Sequence, residues 1–275
     1  MLRLLRDRVC IALCPDRLIA VHYRPGLRPR IVDKTVQHTY SSPETGWQAT
    51  LTLLKATLNN PAWKDADATL ILSNHFVHFL LLPWNDVALT EEEKLSLLQL
   101  RFAEVYGEAS ATWELRLNEG SFGSPSLASA VDQGLLEQLK NIFDESTLRL
   151  KSIQPNLMAA FNRCYRKLGK DPAWLVVAEQ GVFCVGLLRE GEWQSIRLRR
   201  IEGEWFDEAM LVLEREMLLA EEQYERSKVY LYAPEMPVTA PIKRGALEIL
   251  PLQPELPPVL SSGEMSIYAI AAAGV

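Results

Sequence analysis

Along the chain, short apolar runs at two-residue spacing give way to longer stretches at helical spacing, and one order of such runs occurs twice. Val9 to Leu13 and Leu18 to Tyr23 are β-prone runs on either side of Cys14-Pro15-Asp16-Arg17, whose proline and aspartate favour a turn, so the segment predicts a hairpin. After Pro25-Gly26, Arg30 to Gln37 alternates apolar and polar residues as a third strand, and Trp47 to Leu58 has helical spacing. The order strand, strand, strand, helix then returns. Trp174 to Ala178 and Val182 to Leu188 flank Glu179-Gln180-Gly181, a turn at Glu190-Gly191 leads to a strand from Trp193 to Ile201, and Phe206 to Tyr224 reads as a helix. An offset of 164 residues lays Leu18-Ile19-Ala20-Val21 over Val182-Phe183-Cys184-Val185, which we read as a structural duplication.

Between the repeats, Ala68 to Leu72 and Phe76 to Leu82 read as strands. Thr90-Glu91-Glu92-Glu93 is a capping box that opens a helix running to Tyr106 and stopping at Gly107, with Leu95, Leu98, Phe102 and Val105 as its apolar face. Strands follow at Thr112 to Leu117 and Leu127 to Val131, a helix at Leu135 to Phe143, a strand at Leu148 to Ile153 and a helix at Pro155 to Leu168. After the second repeat come strands at Val229 to Tyr232 and Leu247 to Leu250, a proline-rich stretch from Pro251 to Pro258, and an apolar helix from Glu264 to Ala273. The pattern predicts an α/β protein with a first lobe over residues 1–170, carrying a small inserted α/β subdomain at about 66–150, and a second lobe over residues 171–275.

Composition narrows the function. The 275 residues are 48% hydrophobic, enough for a substantial core, and the net charge of -6 leaves no surplus of cations for phosphates, so nucleic acid is not an expected partner. Cys10, Cys14, Cys164 and Cys184 stand in apolar surroundings in a chain too large to need disulfides, and read as buried thiols. Every long apolar run is interrupted by charge, which predicts a cytoplasmic protein. The first eight residues set three arginines beside three leucines, chemistry suited to peripheral contact with an anionic membrane at the inner face of the inner membrane.

The repeated three-strand-plus-helix unit, with an insert in the first copy, resembles the build of the actin, sugar-kinase and heat-shock-ATPase superfamily. At family level the chain resembles the PilM-type actin-like proteins of type IV pilus assembly, including those of mannose-sensitive haemagglutinin pili, and the cytoplasmic part of the type II secretion L protein. The residues that carry this are Val9 to Leu13; Leu82-Pro83-Trp84 with the helix ending Arg101-Phe102-Ala103-Glu104; Ser152-Ile153-Gln154-Pro155; Trp174 to Arg200; and Tyr268 to Gly274. The resemblance implies a duplicated actin-like (ribonuclease-H-like) ATPase fold, two lobes with mixed sheets flanked by helices.

Actin-like ATPases hold phosphates on two hairpin turns of the form Asp-x-Gly-Ser/Thr, with a lysine on the second strand of the first hairpin. Glycine lets backbone amides approach the phosphate, and the aspartate positions hydrated magnesium. Laid on this chain, the first aspartate falls at Ala12, the glycine at Cys14, the hydroxyl at Pro15 and the lysine near Ile19. In the second hairpin the aspartate and glycine fall at Val176 and Ala178, and the adenosine-packing glycines near Ala233-Pro234-Glu235. A register shift of one or two would bring Asp16 or Glu179 into the cleft, where a lone carboxylate repels a triphosphate. The expectation is no catalytic, cofactor-binding or metal residues, with ATP and magnesium entering only if these loops are misread.

Other chemistry is equally thin. Cys10-x-x-x-Cys14 lacks the further ligands of a metal site, and His75 and His78, placed on a strand, point to opposite faces. Asn118 to Ser124 reads as a hairpin turn. Glu214, Glu216, Glu221, Glu222 and Glu225 make the outer part of the second repeat's helix acidic, suited to a basic tail. The resemblance implies a non-catalytic scaffold of a type IV pilus or type II secretion-like assembly that docks the cytoplasmic tail of an inner-membrane partner. The alternative is a divergent nucleotide-binding phosphotransferase or ATPase of the same fold.

Overall fold

A computed structural model of the chain describes residues 6–26, 30–39, 46–86, 89–220, 228–236, 238, 240–244, 247–252 and 262–272. The first half comprises β1 (Arg8–Leu13), β2 (Arg17–Arg24), β3 (Arg30–His38), α1 (Gln48–Leu58), β4 (Asp67–Leu72), β5 (Val77–Leu82), α2 (Glu91–Tyr106), β6 (Trp113–Asn118), β7 (Ser126–Asp132), α3 (Gln133–Asp144), β8 (Arg149–Pro155) and α4 (Asn156–Leu168). The second comprises β9 (Ala173–Glu179), β10 (Val182–Arg189), β11 (Glu192–Arg200), α5 (Trp205–Leu219), β12 (Lys228–Tyr232), β13 (Ile242–Arg244), β14 (Leu247–Pro251) and α6 (Ser262–Ala272).

The two halves repeat one topology. The first sheet has the order β3-β2-β1-β4-β8, with β1, β4 and β8 parallel and the β1-β2-β3 meander antiparallel. The second has the order β11-β10-β9-β12-β14-β13, and its β9, β12 and β14 are parallel in the same way. The central strands are covered on both faces, which is why they read as continuous apolar runs rather than alternating ones. In the first lobe Val9, Ile11, Leu13, Leu18 and Ala20 join the core formed with α1 and α3, whereas Cys10, Ala12, Ile19 and Val21 pack with Ala159 of α4 and Ile270 and Ala271 of α6.

The equivalence of the repeats is 165 residues, one more than the sequence offset. Cys14 N–H bonds Arg17 O, leaving Pro15-Asp16 as a two-residue loop, and Glu179 pairs with Val182 around Gln180-Gly181. Leu13 and Leu18 therefore correspond to Ala178 and Phe183, which with Trp174, Val176 and Val185 pack under α5 as their counterparts pack under α1. A slip of one residue sends every side chain of a strand to the other face, so burial decides the register.

The third sheet, β5-β7-β6, is a separate layer beneath α2. β4 and β8, assigned from sequence to the ends of the insert, belong to the first sheet. The capping box forms as expected, with Thr90 Oγ1 accepting from Glu93 N and Glu93 Oε2 accepting from Thr90 N. The apolar face of α2 is only half used. Leu98 and Phe102 are buried, but Leu95 is 46% and Val105 64% exposed, because the face laid on the sheet runs through Leu97, Leu98, Phe102 and Tyr106 and leaves those two to its sides. In α5, Glu216 is not on the outer face: it is buried and pairs with Arg197 at 3.1 Å. The other end of that predicted helix, with Glu221, Glu222 and Glu225, lies outside the described residues, as does most of Pro251 to Pro258. All four cysteines are buried thiols. Among the described residues no helix is long and apolar enough to cross a membrane.

Candidate functional site

The tips of the β1-β2 and β9-β10 hairpins meet between the lobes, and each sends one side chain into the other half. Glu179, the last residue of β9, is 2% exposed and accepts hydrogen bonds from Ser73 Oγ at 2.6 Å and Asn74 N at 2.9 Å. The Asn156 side chain adds a third. Ser73 also caps the short 3-10 turn Asn74–Phe76, and Asn74 Oδ1 accepts from Leu157 N at 3.0 Å in the first turn of α4. One carboxylate thus ties the second hairpin to the end of β4 and the start of α4. Burial pushes its pKa up, opposed by the three donors.

Arg17 makes the reciprocal contact. Its Nη1 donates to Gln180 Oε1 at 3.0 Å and to the neighbouring Asp16, and its Nη2 to Glu235 Oε1 at 2.5 Å. Burial opposes the charge, but Cys14, Glu235 and Asp16, with the hydrogen bond to Glu235, outweigh it and raise the arginine pKa further. Gln180 O bonds His75 Nε2 at 2.9 Å, and His75 sits so close to Gly181 that an added Cβ would lie 3.1 Å from its Cε1. With φ at +82° the backbone at Gly181 favours glycine, and a side chain there would also press on the His75 ring.

Two cavities flank the Arg17 bridge. One, of about 460 Å³, is lined by Trp47, Phe76, His78 and Trp113, with Asp16, Asp132 and Arg200 at its polar edge. The other, of about 450 Å³, lies toward α6 and is lined by Val36, His38, Glu235 and Tyr268; Gln180 borders both. His75 belongs to the 3-10 turn and not to β5, so the two histidines line the first cavity together instead of facing apart as expected for a strand. His78 stacks on Trp113 with centroids 3.9 Å apart, and burial, helped by Arg200, lowers its pKa to about 4. It is a neutral aromatic surface at neutral pH. Among the described residues no three histidine, cysteine or carboxylate groups come together as a metal cluster.

The corrected register changes which residues stand at the phosphate-loop positions. Ala12 corresponds to Val177, not Val176, and Cys14 to Glu179, not Ala178. Ala12, Ile19 and Val177 are fully buried in the sheets, and Cys14, its thiol driven well up by burial, belongs to the core. Of the two carboxylates that a register shift would bring in, Asp16 lines the cleft while Glu179 is plugged into the opposite lobe. The guanidinium nearest a phosphate position is already neutralised by Asp16 and Glu235, the latter standing where glycines would pack on adenosine. These residues do not fit a magnesium-nucleotide. Sequence reasoning missed Arg17, Ser73 and Asn74, whose long-range partners lie 83 to 218 residues away, and Asn156, which meets Glu179 in the other lobe. The one available signal was an arginine set directly between the turn and the apolar run Leu18-Ile19-Ala20-Val21.

No protein-family model matches the chain, and no curated protein does. Solved structures do. The PilM-PilN type IV pilus biogenesis complex superposes with a TM-score of 0.65 at 13% identity, over 97% of each chain. The cytoplasmic domain of EpsL, an inner-membrane component of the type II secretion system of Vibrio cholerae, superposes with a TM-score of 0.59 at 9% identity, over 97% of this chain and 94% of that one. A Bacteroides thetaiotaomicron protein of unknown function with an actin-like ATPase fold gives 0.54 at 12% identity, over 84% of each. The chain therefore has the actin-like fold: two lobes built on one repeated topology, joined by an exchange of side chains between their hairpin tips.

Proposed function

We propose that this chain is a non-catalytic scaffold of a type IV pilus or type II secretion-like assembly, and that it works by docking the cytoplasmic tail of an inner-membrane partner. The observation that carries the reading is the Arg17–Glu235 and Arg17–Gln180 bridge, which crosses the interlobe cleft and engages its cation where an ATPase of this fold needs free backbone amides and a free cation. The similarity to PilM in its complex with PilN, and to the EpsL cytoplasmic domain, supports the choice of machine. No nucleotide cofactor is expected.

Cytoplasmic segments next to membrane spans are rich in lysine and arginine. The cavity between Trp47, Phe76 and Trp113, edged by Asp16 and Asp132 against the cation Arg200, suits a short segment that sets an apolar residue beside a basic one. The test is a photocrosslinking residue at Trp47 in the source bacterium, followed by anisotropy of the captured segment as a synthetic peptide. We expect the tail of a single-span inner-membrane protein, with affinity reduced at least about tenfold by Asp16→Arg, on the scale of a buried charge contact. Failure to crosslink any membrane protein, or a rise in melting temperature with magnesium-ATP accompanied by its hydrolysis, would overturn the reading in favour of a phosphotransferase.

A further inference from the structure

The end of the first sheet opposite the hairpin tips is basic, in a chain whose net charge is -6. The strand register aligns this end. Arg30 of β3 pairs with Arg24 of β2, Arg8 of β1 lies between Tyr23 and Asp67, and Asp67 of β4 pairs with Arg149 of β8. Four of the five strands thus begin or end on arginine, and Arg6 and Lys151 extend the row. Acids are few there: Asp7 bonds His22 and lies 3.5 Å from Arg24, Asp67 is 3.3 Å from Arg149 and 3.8 Å from Lys151, and Asp65 offers its backbone oxygen to Arg149. Arg6, Arg8, Arg24, Arg30 and Lys151 are exposed.

We propose that this row seats the protein on an anionic lipid surface. Adjacent strands lie about 4.8 Å apart, so five strand ends spread the cations over roughly 20 Å, a flat front and not a groove. Among the described residues no exposed aromatic stands beside these cations to stack bases, and the sequence leading into them carries Leu2, Leu4 and Leu5, apolar side chains of the kind that enter a headgroup layer. The concentration of positive charge at one pole leaves the remainder of the molecule acidic, so an anionic surface both attracts and orients it. β1 runs six residues from Arg8 to the hairpin, which holds the cleft about 20 Å from the lipid.

Co-sedimentation of the full chain with vesicles of phosphatidylethanolamine and phosphatidylglycerol, against vesicles of phosphatidylcholine, tests this. Binding is expected only to the anionic vesicles and is expected to vanish near about 0.5 M salt, where the screening length is short. Arg24→Glu/Arg30→Glu should lower the bound fraction about tenfold or more at an unchanged melting temperature, and Arg8→Glu/Lys151→Glu provides a second, independent reversal. Equal binding to both vesicle types, no binding to either, or indifference to both variants would overturn the proposal. So would retention by a DNA duplex without retention by vesicles, which would assign the row to nucleic acid. Peptide docking at the cavity is measured without lipid, so the two readings fail separately.

Discussion

Ser73, directly after β4 of the first lobe, donates a 2.6 Å hydrogen bond to Glu179 at the tip of the second lobe's hairpin. With Asn74 and Asn156 completing the socket, the carboxylate is satisfied by three donors in a site closed to water. Removing it strands those donors, so Glu179→Ala should destabilise the protein by about 3 kcal/mol in urea unfolding.

The same group gives a pH signature. Its folded pKa is raised, so its contribution to stability is complete below the ordinary carboxylate pKa and is lost as pH rises through the raised value. Unfolding measured from pH 4 to 8 should show wild type losing stability relative to Glu179→Gln as pH rises. A difference that is constant across that range would refute the assignment of burial as the dominant cause.

His78 acts with the opposite sign. Its pKa of about 4 in the folded state, against 6.5 when free, means that its contribution is full above 6.5 and is lost as pH falls toward 4. His78→Phe, which keeps a ring against Trp113, should flatten the acid side of the stability profile.

Arg17 and Glu235 should behave as a coupled pair. Arg17→Ala leaves Glu235 short of its cation in a largely enclosed site and should cost about 3 kcal/mol. The double variant Arg17→Ala/Glu235→Gln should cost less than the two single changes added together, as a double-mutant cycle in urea will show. Strict additivity would mean that the 2.5 Å contact contributes nothing.

Thr90 tests a local device. Thr90→Ala removes the acceptor for Glu93 N and should destabilise the first turn of α2 by about 1 kcal/mol, read as faster amide exchange over residues 91–94.

Much of the architecture was legible in the sequence because its signals are local. The Thr90 capping box, the Glu190-Gly191 turn with both residues at positive φ, and the two hairpins are fixed by neighbouring residues, and they formed where the pattern placed them. The short strand β13 was missed, since three residues carry no period. The exposure of Leu95 and Val105 could not be read either, because periodicity names a broad apolar face without fixing which line along it, here Leu98, Phe102 and Tyr106, meets the sheet.

What the sequence by itself determined was the repeated order of elements, the apolar strands that need cover on both faces, and the absence of glycine and aspartate from the phosphate-loop positions. Only the tertiary structure decided the one-residue register between the repeats, the joint placement of His75 and His78 on one cavity, and the exchange of Arg17 and Glu179 between lobes. Local propensity acts over a few residues. A charge 218 positions away is brought to an arginine by the packing of whole sheets, and no pattern along the chain records that distance.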